Sequence, residues 1–196
     1  MEIYRNYMYQ IKNYNHLVGI EGFSDQLLNN HFALYEGYVK NTDKLNEALG
    51  KIDPTTPEYA ELKRRFGWEF NGIRLHEYYF ENIKKEGSEL DKNSDFAKKL
   101  SEEFGSLENW QKDFKSMGAM RGIGWIILYY DLETKRLFNC WINEHDAGHL
   151  TGAKPLLVMD VFEHAFMIDY GLKRADYVEA FFEKIDWEAV NQRFLR

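Results

Sequence analysis

Hydrophobic residues follow two rhythms along this chain, and the change comes at residue 125. Before it, apolar positions recur at helical spacing; after it, short aromatic and branched runs alternate with turns. Ser24 is an N-cap for a helix starting at Asp25, whose inward stripe is Leu27, His31, Leu34, Tyr35, Tyr38 and Leu45. Thr56, Pro57 and Glu58 supply a cap, a first-turn proline and a first-turn acid for a second helix. Its stripe is Tyr59, Leu62, Phe66, Phe70, Ile73, His76, Phe80 and Ile83. Gly67 and Gly72 each weaken that helix by up to ~1 kcal/mol unless something packs close to them. These two helices form an antiparallel hairpin.

Ser94 and Ser106 cap two shorter helices, the second burying Leu107, Trp110, Phe114 and Met117. Residues 125–130 and 136–142 then read as an antiparallel β-hairpin about the loop 131–135. A third strand, 156–159, ends at Asp160, and Gly171 closes a helix that follows His164. Two amphipathic helices, 174–184 and 186–196, complete the chain, while 1–23 is an irregular arm. The polar segment 84–95 divides an N-terminal helical hairpin domain (1–88) from a C-terminal α/β domain with a three-stranded antiparallel sheet (89–196). The expected class is α+β.

Composition narrows the function more than the fold. With 44% hydrophobic and 16% aromatic residues, the 196-residue chain folds into a globule. A net charge of -7 argues against nucleic acid as the main partner, but not against a small anion met by local positive charge. No apolar run approaches the ~20 residues of a membrane span, so no membrane partner is expected. The opening residues lack a signal-peptide core, which favours the cytoplasm. One cysteine, Cys140, excludes an internal disulfide and a cysteine-based zinc site.

The candidate chemistry lies in Pro155-Leu-Leu-Val-Met-Asp-Val-Phe-Glu-His-Ala-Phe-Met-Ile-Asp-Tyr170. Asp160 sits among apolar residues, where an ionised carboxylate needs a partner or a metal. His164 follows four residues later, on the same face of a helix or a strand. The pair is either part of a metal site or a buried Asp–His hydrogen bond. His31 and His76 each stand in an apolar stripe, where a lone histidine is usually a satisfied core residue. One on each arm of a hairpin is harder to dismiss. Three imidazoles and one carboxylate suit iron or manganese better than a closed zinc site.

At these residues the chain resembles the iron/manganese superoxide dismutase family. Asp160-Val-Phe-Glu-His-Ala165 is similar to the family signature D-x-W-E-H-A, with Phe162 replacing the tryptophan. The stretches from His76 to Asn82, Ser106 to Trp110, Arg121 to Trp125 and Ile185 to Val190 resemble further family segments. The resemblance implies superoxide disproportionation to dioxygen and hydrogen peroxide at one Mn or Fe ion per subunit. The implied ligands are His31, His76, Asp160 and His164. It also implies a gateway tyrosine at Tyr38, an aromatic pocket wall at Trp125, and a homodimer in which Glu163 bonds the partner subunit's His164.

The departures bear on the site. His31 and Tyr38 are seven apart where the family usually has eight; an ungapped match would put Asn30 at the ligand position, and His31 is preferred. Tyr35 then takes the place of a second family histidine, and Met167 that of a partner-subunit tyrosine. Gly72 stands where iron-type members carry a glutamine, so the partner of the metal-bound solvent should come from the sheet loop. His145 is expected there and Glu144 is the alternative, with His149 an ordinary loop residue. A non-catalytic metal-binding or structural dimer of the same fold is the rival reading.

Overall fold

A computed structural model describes residues 8–196, so residues 1–7 of the expected arm lie outside the described residues. The long helices begin at their caps: α1 is Asp25–Leu49 and α2 is Pro57–Glu81, with the Ser24 and Thr56 side chains accepting from the amides of Leu27 and Tyr59. Ser94 and Ser106 cap α3 (Asp95–Phe104) and α4 (Leu107–Gly118) in the same way. The sheet holds β1 (Trp125–Asp131), β2 (Leu137–Ile142) and β3 (Ala153–Asp160), antiparallel in the order β2-β1-β3. A 3-10 turn (Glu163–Ala165) and the one-turn α5 (Met167–Tyr170) replace the single helix expected after His164. Gly171 ends that segment, and α6 (Arg174–Glu183) and α7 (Trp187–Leu195) follow.

The inward face of α1 is rotated from the expected stripe. Leu28, His31, Phe32, Tyr35, Val39 and Thr42 are buried, whereas Leu34 is 39% exposed and Leu45 is only half-buried. Thr42 can occupy an inward position because its hydroxyl donates back to the Tyr38 carbonyl at 2.8 Å. Along α2 burial rises toward the C-terminus. Tyr59, Leu62, Phe66 and Phe70 are half-buried, but Ile73, Leu75, His76, Tyr79 and Phe80 are fully covered. There α2 runs between α1 and β3.

The arm is irregular but packed, with Tyr14, Leu17, Ile20 and Phe23 joining one core that links hairpin and sheet. The polar segment after α2 is also tied down: Lys84 N donates to Lys184 O at 2.9 Å and Ser88 N to Ile185 O at 2.9 Å. One end of the sheet matters most for the site. Trp125, the first residue of β1, pairs with Asp160 at the end of β3 and with Ile142 at the end of β2. The rung therefore places Asp160 beside Trp125 and launches the 143–152 loop from Ile142. Gly124 precedes it at φ +137, where a Cβ would lie 1.9 Å from the Ile142 carbonyl oxygen, so only glycine fits. Among the described residues no helix is long and apolar enough to cross a membrane.

Candidate metal centre

Four elements bring four side chains to one point. α1 contributes His31, α2 His76, the end of β3 Asp160 and the 3-10 turn His164, with one ligand atom of each within 4.8 Å of the others. Asp160 Oδ2 is the common focus: His31 Nε2 and His164 Nε2 each lie 3.1 Å away and His76 Nε2 3.7 Å. The other carboxylate oxygen accepts from the Phe162 amide at 2.8 Å, and the Tyr177 hydroxyl donates to the Asp160 carbonyl at 2.6 Å. The first bond fixes the carboxylate's direction and the second holds the Asp160 backbone. Asn30 is exposed and turned away, while His31 is fully buried.

His76 tests whether this group fits a metal. Its Nδ1 lies 2.6 Å from the Gly72 carbonyl oxygen. A carbonyl can only accept, so Nδ1 carries the proton and Nε2 presents a bare lone pair. That lone pair faces an anionic carboxylate, and Nε2 has no hydrogen-bond partner. Two electron-rich atoms directed at each other in a buried site repel unless a cation lies between them. The donor set fits iron or manganese.

The proton affinities point the same way. Burial pushes the Asp160 carboxyl up, but the charge of His164 and hydrogen bonds from His164 and His31 outweigh it and hold it well below the usual carboxylate range. Burial drives His31 and His76 below their ordinary value, and neighbouring His31 drives His76 further. Burial also lowers His164, yet the Asp160 carboxylate more than offsets this and leaves it raised. Asp160 and His164 thus favour each other's charged forms, while burial keeps His31 and His76 neutral, the form in which an imidazole can bind a metal.

Beside this group stands a second, fully bonded cluster. Trp125 Nε1 donates to His145 Nδ1 at 3.0 Å, so the proton of a neutral His145 sits on Nε2. That Nε2 lies 2.8 Å from the Tyr38 hydroxyl oxygen and donates to it. The direction of donation is thus fixed as Trp125 to His145 to Tyr38, and the Tyr38 proton is free to point elsewhere. Burial lowers His145 to about 4 and raises Tyr38 above its ordinary range. Gly72 finds its reason here: a Cβ on it would lie 2.5 Å from Tyr38 Cδ1, so the ring occupies the space a side chain would need.

The two loop candidates have different surroundings. His145 is fully buried against Tyr38 and Trp125, whereas the Glu144 carboxylate accepts from Trp68 Nε1 at 3.3 Å. Phe162 stacks on His164 at 5.5 Å between centroids and packs against His145 at 5.1 Å. Tyr35 is directed to Glu77, donating to its carboxylate at 3.1 Å and accepting from the Lys12 amide at 3.1 Å. Met167 is 41% exposed, and Glu163 is exposed beside a partly open His164.

Sequence reasoning overlooked Trp68, whose ring lies 4.4 Å from His145 and 5.4 Å from Tyr38. It also overlooked Asn71, which donates to the His145 carbonyl at 2.7 Å. Both residues sit on α2 before His76 but off its i−3 and i−4 positions, so helical spacing alone does not flag them; the loop that carries His145 brings them to the site.

Comparison with known proteins adds kinship to this geometry. The family model described as iron/manganese superoxide dismutases, C-terminal domain, matches residues 92–193. The chain is 35% identical over 184 residues to superoxide dismutase [Fe] of Aquifex pyrophilus, covering 89% of this chain and 85% of that protein. It is 36% identical over 181 residues to superoxide dismutase [Fe] of Cupriavidus metallidurans, covering 89% and 90%. It is 33% identical over 175 residues to superoxide dismutase [Mn] 2 of Haloferax volcanii, covering 87% and 86%. Relatives named for either metal thus match over most of the chain, and on that evidence this protein belongs to the iron/manganese superoxide dismutase family.

Proposed function

We propose that the chain is a superoxide dismutase that converts two superoxide ions and two protons into dioxygen and hydrogen peroxide. The observation that carries the reading is the unprotonated Nε2 of His76 aimed at Asp160 Oδ2, 3.7 Å away, in a chain related to named dismutases. His31, His76, Asp160 and His164 would hold one iron or manganese ion per subunit. Held there, such an ion would supply a 3+/2+ redox couple able to take up and return one electron.

The chain's own residues would bind, shield and deliver protons. The single carboxylate offsets part of the ion's charge, and the Phe162 amide keeps it aimed. Trp125 and Phe162 wall the pocket and exclude bulk water. His145 holds the Tyr38 oxygen by donation, leaving the Tyr38 hydroxyl proton for the substrate side of the gate. The divide between units 1–88 and 89–196 would leave the ion between hairpin and sheet, held by side chains of both.

We further read the protein as a cytoplasmic homodimer. Support for the dimer lies around His164, which is 25% exposed where the other three ligand side chains are fully buried. Exposed Leu34, Met167 and Ile168 and the Glu163 carboxylate offer a covering copy both apolar surface and a carboxylate for the partner subunit's His164. The cytoplasmic reading is compatible with a fold that holds together without a disulfide, Cys140 being the one cysteine.

The test is direct. Protein loaded separately with iron and with manganese is assayed for superoxide removal, with metal content measured on the same samples. Dismutation with at least one metal is expected; stoichiometric metal of either kind without superoxide removal rejects the reading.

A further inference from the structure

We infer that His149, which lies outside the proposed ligand and gate sets, is a positioning residue for His145. His145 is carried by the 143–152 loop, which has neither helix nor strand to hold it. Such loops are ordinarily the least restrained parts of a fold. A gate imidazole nevertheless has to keep its place to within a fraction of an ångström. The ring bonds to Trp125 and Tyr38 fix the plane of the imidazole, but they leave its backbone to be fixed by something else.

That restraint comes through the His145 carbonyl, which accepts from Asn71 Nδ2 at 2.7 Å and from His149 Nε2 at 2.6 Å. Because a carbonyl only accepts, the His149 proton sits on Nε2 and its Nδ1 is bare. Nδ1 is met at 2.7 Å by the hydroxyl of Tyr129, a residue 1% exposed in β1. Neutral His149 therefore has both nitrogens used, in one tautomer only. Tyr129 lies four residues after Trp125 on the same strand and face. One rigid strand thus holds the loop twice, at the His145 ring through Trp125 and at its backbone through Tyr129 and His149.

If His149 only fastened the loop, its loss would cost stability and leave the gate's behaviour unchanged. A positioning role makes a different demand: the His145 tautomer and the reaction both respond, and a side chain offering one donor and one acceptor restores them. The activity arm rests on the dismutase reading; the spectroscopic arm does not.

The experiment compares His149→Leu, His149→Gln and Tyr129→Phe with the wild type, each loaded with iron or manganese. For His149→Leu we expect unchanged metal content and a fall of about tenfold in kcat/KM, the range found when groups orienting a metal site are removed. His149→Gln should recover most of that loss. Nitrogen-15 NMR of the metal-free proteins should report one His145 tautomer in the wild type and His149→Gln, and a mixture in His149→Leu. Wild-type kcat/KM and a single tautomer in His149→Leu would overturn the proposal, as would equal impairment in both His149 variants. Should His149→Leu fail to fold, Tyr129→Phe decides: a fall of about twofold or more in kcat/KM with a mixed tautomer supports the role, and no change in either overturns it. A wild type without superoxide removal would reject the function while leaving the tautomer comparison intact.

Discussion

The two clusters at the centre of the molecule are built on opposite principles. In the first, His31, His76 and His164 crowd one oxygen of Asp160, and His76 Nε2 has no hydrogen to offer it. In the second, both nitrogens of His145 and both of His149 are paired in directions that leave one tautomer each. Unsatisfied lone pairs inside a protein call for a cation, whereas a fully paired chain fixes where protons sit. Similar residue types thus serve two purposes, and the hydrogen-bond partners tell them apart. The two sets meet where His76 and His145 rings approach to 5.9 Å.

The sharpest way to break this contrast is His76→Ala. Removing one of four donors should reduce metal content to background and abolish superoxide removal, measured together on one preparation. Retained metal with full activity would mean that the crowded nitrogens are not the ligands. A structural histidine would instead show its loss as instability alone.

A second test separates the clusters by pH. Burial places His145 at about 4 in the folded protein, below the ordinary 6.5 that applies once it unfolds. Between these values the unfolded chain binds a proton that the native state refuses, so stability rises with pH there. His145 imposes no penalty above pH 6.5, and its penalty grows as pH falls toward 4, reaching at most ~3 kcal/mol. His145→Gln should remove that slope from urea-unfolding midpoints. An unchanged slope would place the pH response elsewhere, His31 and His76 being lowered as well.

Gly72→Ala probes the join between the two sets. Its Cβ would meet Tyr38 ring carbons at 2.5, 2.7 and 2.9 Å, so the ring has to move off His145. Overpacking of this kind costs about 1–3 kcal/mol. Metal content should hold while kcat falls, because Tyr38 shifts and the four-residue cluster does not. Loss of metal instead would show that the Gly72 carbonyl, which orients His76, moves with the ring.

These tests also mark what was legible in the sequence. Caps are local, so Ser24, Thr56, Ser94 and Ser106 announced four helices that begin where expected. The three antiparallel strands were equally readable, because residues 125–142 carry the turn between two apolar runs. The α1 face was misjudged because Leu34 counts as apolar by composition, while Thr42 satisfies itself by bonding within its own helix. Gly72 was legible as a demand for close packing, but not as a demand from Tyr38. His149 was passed over because its partners, Tyr129 and the His145 carbonyl, are set by tertiary folding and leave no periodic trace.

The smallest expected effect concerns Glu144, the alternative to His145 in the sheet loop. Its carboxylate is held by Trp68 at the edge of the gate, and its charge contributes to raising Tyr38. A negative charge there repels an anionic substrate, though water and salt screen most of that repulsion. Glu144→Gln keeps an acceptor for the Trp68 indole and removes the charge. We expect kcat/KM to rise by no more than about twofold at low ionic strength, and the gain to vanish as salt approaches ~0.15 M, where the Debye length is about 8 Å. Metal content and the optical spectrum of the bound ion should not change. A large fall in kcat, or a spectral shift, would mean that Glu144 acts on the metal itself and that the gate's assignment to His145 has to be exchanged for its neighbour.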